Sequence, residues 1–237
     1  MKLLIISLLS LLDAYFTGNM SVWQSTIDEA QWETLSNDEK AVILNTEYGF
    51  VASFLDDAPT GAKHDAKTKA ARNEKATLYL DQFISHLEDA KSFLPESRYC
   101  TYRSAAYAYD FMLTRNLSSG IKSFQLCHDA VEHDPNDPIA LSLVGNVEFF
   151  SPKIFGGNKK KALADFEKAK EIIMADEQYE LWWNRPALLL CIVQCYEKLG
   201  DIDRAKQEAQ ALLELYPQFT FLKDSYLPEL ENKKTGR

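Results

Sequence analysis

His64, His86, His128 and His133 are the chain's histidines, and each is a candidate for proton transfer or metal binding. His128 and Glu132 stand one helical turn apart, so an imidazole and a carboxylate share a face and offer two ligands. No third ligand follows at compatible spacing. The pair therefore reads as a solvated helix end, where a cationic imidazole suits the helix dipole. Asp134-Pro135-Asn136-Asp137-Pro138 has the acids of a calcium loop, but an EF-hand needs Gly sixth and Glu twelfth, where Ile139 and Gly145 stand. Gly156-Gly157-Asn158-Lys159 lacks the earlier glycine, the hydroxyl residue after Lys and the preceding strand of a phosphate loop. A helix start carrying Lys159, Lys160 and Lys161 still offers an anion a place, beside the plainer reading as a hairpin turn. No Ser or Cys sits in a nucleophile signature. Carboxylates such as Glu167 and Glu171 have the spacing of a solvated helix face. No catalytic residue, metal ligand or cofactor is expected.

The cysteines read as small buried hydrophobes. Cys191 and Cys195 lie one turn apart on one expected helix, where bridging geometry is poor. Cys100 and Cys127 fall on two arms of an expected hairpin turning near Ser118. That places them about 13 Å out of register at 1.5 Å per residue, too far for a bridge.

The elements that must position these residues are helices. Apolar residues recur at helical spacing, and no stretch alternates with period two. With 9 Gly and 8 Pro in 237 residues, few turns are available. Helices are expected at Ser36 to Phe54, Ala70 to Phe93, Tyr99 to Leu117, Ser119 to His133, Pro138 to Phe150, Asn158 onward, Pro186 to Leu199 and Asp203 to Tyr216, with a capping helix near Phe221 to Leu230. Ser36 and Glu39 have capping-box spacing. Asp137 and Asn158 are expected caps. A long loop, Asp56 to Lys69, joins the first two. Pro95, Pro135 and Pro217 close successive pairs at intervals of 40 and 82 residues, a period of about forty that marks stacked helical hairpins. The turn Gly200-Asp201-Ile202-Asp203 recurs as Gly157-Asn158-Lys159-Lys160 and as Gly18-Asn19-Met20-Ser21. In each, glycine is expected in the left-handed closing position and Asn or Asp caps the next helix.

The net charge of −9 and pI near 5.0 argue against nucleic acid, which needs a basic stripe. At the N-terminus, Met1-Lys2 precedes an apolar run, Leu3 to Leu12, too short to span a bilayer. Residues 1–20 read either as a signal peptide without a clear cleavage site or as the first helix of an N-terminal half-repeat, Leu8 to Phe16 with Ser21 to Trp32. The first reading makes the chain exported and periplasmic, with no stable membrane span unless the segment is an uncleaved anchor. The second leaves it cytoplasmic.

Tyr196, Leu199-Gly200-Asp201, Ala205, Leu212 and Pro217 fall at the signature spacings of the tetratricopeptide repeat (TPR), a 34-residue helix–turn–helix. Val144-Gly145-Asn146, Phe149-Phe150, Ala162, Phe166 and Ala169 resemble it too, with a five-residue insertion in the turn. The Pro152-x-x-Phe155-Gly156-Gly157 turn is similar to one in exported bacterial TPR proteins of unassigned role. The resemblance is good over residues 134–217 and elsewhere keeps only period and pattern. It implies an all-α, TPR-like right-handed superhelix of antiparallel hairpins over residues 21–237. It implies also a non-catalytic scaffold whose concave groove takes a protein or peptide segment. Groove positions fall on Ser142, Asn146, Phe149, Leu190, Gln194 and Glu197. Asn146 matches a carboxylate-clamp asparagine, but Ser142 and Cys191 stand where Lys and a second Asn belong. Tyr99, Tyr102, Tyr109 and Leu113 form a stripe expected in the core, and Trp182-Trp183 an inter-repeat wedge. A rival reading is a small-ligand accessory protein of an uptake system, with an aromatic pocket closed by the Phe155 turn. An enzyme using carboxylates ranks third.

Overall fold

Side chains at the helix starts satisfy the backbone donors that would otherwise face nothing. Ser36 and Glu39 form a reciprocal capping box at the head of α3 (Asn37–Phe54). Asp65 accepts from Thr68 N–H at 2.7 Å to open α4 (Ala66–Ala90). Asp137 accepts from Ile139 N–H at 2.9 Å ahead of α7 (Pro138–Phe150), whose first residue is the proline that needs no donor there. Asn158 caps α8 (Lys159–Ala175), and Asp201 caps α10 (Ile202–Leu215). The remaining helices are α1 (Lys2–Thr17), α2 (Met20–Asp28), α5 (Glu96–Thr114), α6 (Leu117–His133), α9 (Asn184–Leu199) and α11 (Leu227–Glu231), the last entered through a π-turn at Leu222–Tyr226. This computed structural model describes residues 2–55, 65–153 and 157–233, without the side chains of 2–6. Among the described residues the fold is all helix, with no strand.

The chain gathers into two compact units, residues 20–133 and residues 1–19 with 134–237. In the N-terminal unit α3 pairs with α4 and α5 with α6, and α3 also touches α5. Its core holds Phe50, Tyr79, Phe83 and Tyr102, with Phe50 edge-on to Tyr79 at 4.8 Å and Phe83 edge-on to Tyr102 at 5.8 Å. The tyrosine hydroxyls stay satisfied. Tyr102 donates to Asn45 Oδ1 at 3.2 Å, and Tyr109 to the Tyr48 carbonyl at 2.8 Å. The expected tyrosine stripe is thus core, with Tyr99, Tyr102 and Tyr109 buried. One carboxyl group is buried there too. Glu47 meets His86 Nδ1 at 2.8 Å, and the Trp32 indole stacks on that imidazole at 4.0 Å. Burial holds the Glu47 carboxyl above its usual range, partly offset by His86.

In the C-terminal unit α7 pairs with α8 and α9 with α10, and α7 touches α9. Phe166, Ile173, Ile192 and Val193 are fully buried, worth roughly 1.5–3 kcal/mol per large side chain. Helix α1 belongs to this unit. Leu11, Ala14 and Phe16 are buried, Phe16 packs on Tyr216 at 4.8 Å, and Thr220 Oγ1 donates to the Phe16 carbonyl at 2.9 Å.

Three expectations are corrected by the structure. The N-terminal hairpin does not form as a pair: α1 packs with the C-terminal unit, and α2 with α3. The α5–α6 turn lies at Arg115-Asn116 rather than Ser118. Arg115 takes the left-handed conformation itself, with φ 61°, and Asn116 Oδ1 accepts from Ser118 N–H at 3.0 Å. Gly18 and Gly200 have φ of 69° and 87°, but Gly157 is not left-handed. Gly157 answers to space instead, since a Cβ there would fall 1.8 Å from the Ser151 carbonyl oxygen. The long loop's residues 56–64, with Pro59, Gly61 and His64, and Phe155-Gly156 of the lengthened turn lie outside the described residues.

Candidate functional site

The six expected groove residues all lie in the C-terminal unit, on α7 and α9. Phe149 and Leu190 are buried, so their side chains contribute packing. Ser142 Oγ donates back to the Pro138 carbonyl at 2.6 Å. Asn146 Oδ1 accepts from the Cys191 thiol at 3.5 Å, tying α7 to α9. Glu197 is held by Tyr226 and Lys233 from the C-terminal segment. Gln194 is half-buried. The chain's own ends therefore approach this face: the Tyr15 ring of α1 lies tilted against Trp183 at 5.9 Å and Phe219 at 5.5 Å. Burial raises Tyr15 and Tyr226 far above the ordinary phenol range, with Cys191 adding to both. It also pushes the Cys191 thiol to about 12 and the Cys195 thiol to about 11, so neither is a thiolate near neutrality. The basic run is engaged as well. Lys161 pairs with the buried Glu148, and Lys159 lies over the Phe149 ring at 5.9 Å.

The N-terminal unit presents a different face. Helices α5 and α6 lie antiparallel, and along them runs a shallow cleft of about 320 Å³ lined by Tyr99, Arg103, Tyr107, Lys122, Leu126 and Asp129, among others. The Arg103 guanidinium and the Lys122 ammonium sit over the Tyr107 ring at 5.5 and 5.1 Å. Arg103 also pairs with Glu88, and the Tyr99 hydroxyl donates to the same carboxylate at 3.3 Å. The cleft joins aromatic faces to cations, a lining suited to an anionic or ring-bearing group.

Beside it, Glu96 and Cys100 of α5 meet His133 of α6, their ligand atoms all within 4.8 Å of one another. Cys100 is buried, while Glu96 and His133 are exposed. Burial raises the Cys100 thiol, with the charges of Glu96 and Asp129 adding to it and Lys91 opposing. On the outer face of α6, Leu117, Ile121 and Phe124 are 71%, 61% and 40% exposed at spacings of four and three. His128 continues that line, edge-on to Phe124 at 4.6 Å.

Neither feature was singled out from sequence. The stripe at 117, 121 and 124 has the periodicity of a core face and is indistinguishable from one until burial is known. The Glu96–Cys100–His133 cluster had a usable signal in the i, i+4 spacing of Glu96 with Cys100. His133 joins them only through the pairing of α5 with α6, which that spacing does not encode.

No protein-family model matches the chain. No curated protein matches it by sequence. Among solved structures the chain is similar to the HusA haemophore from Porphyromonas gingivalis, with a TM-score of 0.48 and 20% identity, covering 75% of this chain and 92% of that one. A likeness of that degree carries nothing about ligand or role.

Proposed function

We propose that the protein is a non-catalytic helical-repeat scaffold of the TPR type that holds a segment of another protein. The observation that carries this reading is the exposed stripe of Leu117, Ile121 and Phe124 on α6. Leaving one such side chain in water rather than covering it forgoes roughly 1.5–3 kcal/mol, and three in a line along one helix make a docking ridge. Lys122 beside the ridge and Arg103 in the neighbouring cleft give the partner its chemistry: a segment with apolar side chains at helical spacing and carboxylates alongside. The groove of α7 and α9 supports the same reading more weakly, through Asn146 and Gln194. Buried α1 side chains favour that segment as an element of the fold. N-terminal sequencing of the natural protein tests this: a start near Met1 agrees with it, and a start beyond Thr17 restores the signal peptide and the periplasm.

The test compares two variants as baits in extract of the source organism. Ile121→Asp, at an exposed site, is expected to abolish retention of a protein that the wild type holds. Asn146→Ala with Gln194→Ala is expected to weaken it less. Retention indifferent to Ile121→Asp would overturn the ridge; loss with the Asn146 and Gln194 variant alone would move the site to the groove.

A second reading, a small-ligand accessory protein, is favoured by the cleft of aromatic rings and cations on α5 and α6. In that case Tyr107→Ala removes ligand binding while Ile121→Asp leaves it unchanged.

A further inference from the structure

The α5–α6 hairpin brings together three side chains of the kinds that bind borderline-soft metals. Glu96 and Cys100 are successive turns of α5, so a carboxylate and a thiol stand one above the other. His133 closes α6 on the facing helix. Because the hairpin turns at Arg115-Asn116, the first turns of α5 lie opposite the last turns of α6. The Cys100 sulfur is 3.9 Å from Glu96 Oε1, and the whole set lies within 4.8 Å. Zinc bonds of about 2.3 Å to sulfur and about 2.0–2.2 Å to nitrogen or oxygen put neighbouring ligand atoms of a tetrahedron roughly 3.3–3.7 Å apart. The shell closes by rotation of the two exposed side chains, with the buried Cys100 staying where it is.

We infer that Glu96, Cys100 and His133 form a site for a zinc-class divalent cation, with the fourth position left to water or a bound ligand. The donor set selects the ion. A thiolate and an imidazole favour Zn²⁺ over Mg²⁺ and Ca²⁺, which take oxygen ligands. Asp129, one turn before His133, acts on the Cys100 sulfur through its charge and also lines the adjacent cleft. The site thereby borders the surface where a small anionic group would lie. This inference uses a different set of side chains from the docking ridge and stands or falls apart from it.

Purified full-length chain, stripped with a chelator and desalted, is titrated with Zn²⁺ against a chromophoric competitor. One ion per chain is expected. His133→Ala and Cys100→Ser are each expected to weaken binding about tenfold or more, and Asp129→Asn less. Cys127→Ser, at a buried cysteine outside the cluster, is expected to bind as wild type. Co²⁺ gives a second readout: the intense visible bands of a tetrahedral site and a sulfur charge-transfer band, the latter absent in Cys100→Ser. No stoichiometric binding, or binding unchanged in both His133→Ala and Cys100→Ser, overturns the inference. So does a loss in Cys127→Ser equal to that in Cys100→Ser. Should Cys100→Ser fold poorly, the exposed His133→Ala variant carries the test alone.

Discussion

The two units are built alike, each from two stacked hairpins whose first helices touch, yet they leave different surfaces to solvent. In the C-terminal unit, where the resemblance to the tetratricopeptide repeat is expected from spacing, the face expected to be a groove is engaged by the chain itself. Tyr226 and Lys233 hold Glu197, and Tyr15 lies against Trp183. In the N-terminal unit, where the resemblance keeps only period and pattern, α5 and α6 keep an open cleft and α6 keeps an uncovered apolar line. A repeat signature records the residues that stack one hairpin on the next. Which face remains for a partner depends on where the chain's own ends go, and those lie outside the signature.

The contrast is broken most severely by removing residues 1–19. Burial of Leu11, Leu12 and Phe16 is lost, which at roughly 1.5–3 kcal/mol each amounts to about 5 kcal/mol or more. Hydrogen exchange is expected to show protection lost in α7 to α10 and retained in α3 to α6; retained protection throughout would show that α1 is not part of the C-terminal core. In the other unit, His86→Ala leaves Glu47 buried without its partner and is expected to cost about 3–5 kcal/mol in denaturant unfolding.

Glu47 gives that unit a pH signature as well. Its folded pKa is raised above the ordinary 4.5, so the stability it contributes is full below the unfolded pKa and falls as pH rises through the folded value. Glu47→Gln is expected to flatten that decline as pH rises above the ordinary carboxylate range, read as denaturation midpoints across a pH series; an unchanged slope would assign the decline elsewhere. Gly145→Ala is a smaller perturbation, confined to α7 and α8. Its Cβ would meet Phe166 Cε1 at 2.5 Å, and overpacking of that kind costs about 1–3 kcal/mol. Smallest of all, Ile121→Asp is expected to change stability by no more than about 0.5 kcal/mol, since the side chain is exposed. A large loss on thermal unfolding would mean that the ridge is part of a packed core.

Helix placement was legible because its determinants are local. Ser36, Asp137, Asn158 and Asp201 cap as their spacing suggests, and Gly200 closes α9 in the left-handed conformation. The α5–α6 turn was misplaced because Arg115 adopts that conformation without a glycine to announce it. The meeting of Glu96, Cys100 and His133 depends on how two helices pair across that turn, which local spacing does not encode. The groove positions failed to stand out for another reason. Spacing assigns Phe149 and Leu190 to a face, but whether that face is wet depends on segments distant in sequence, which periodicity does not encode.

The claim that α6 carries the partner is tested most directly by photocrosslinking in the source organism, with benzoylphenylalanine in place of Ile121 or of Gln194. The account predicts a discrete adduct with one protein from position 121, lost on adding Phe124→Asp, and a weaker or absent adduct from position 194. An adduct from position 194 with none from position 121 would contradict it.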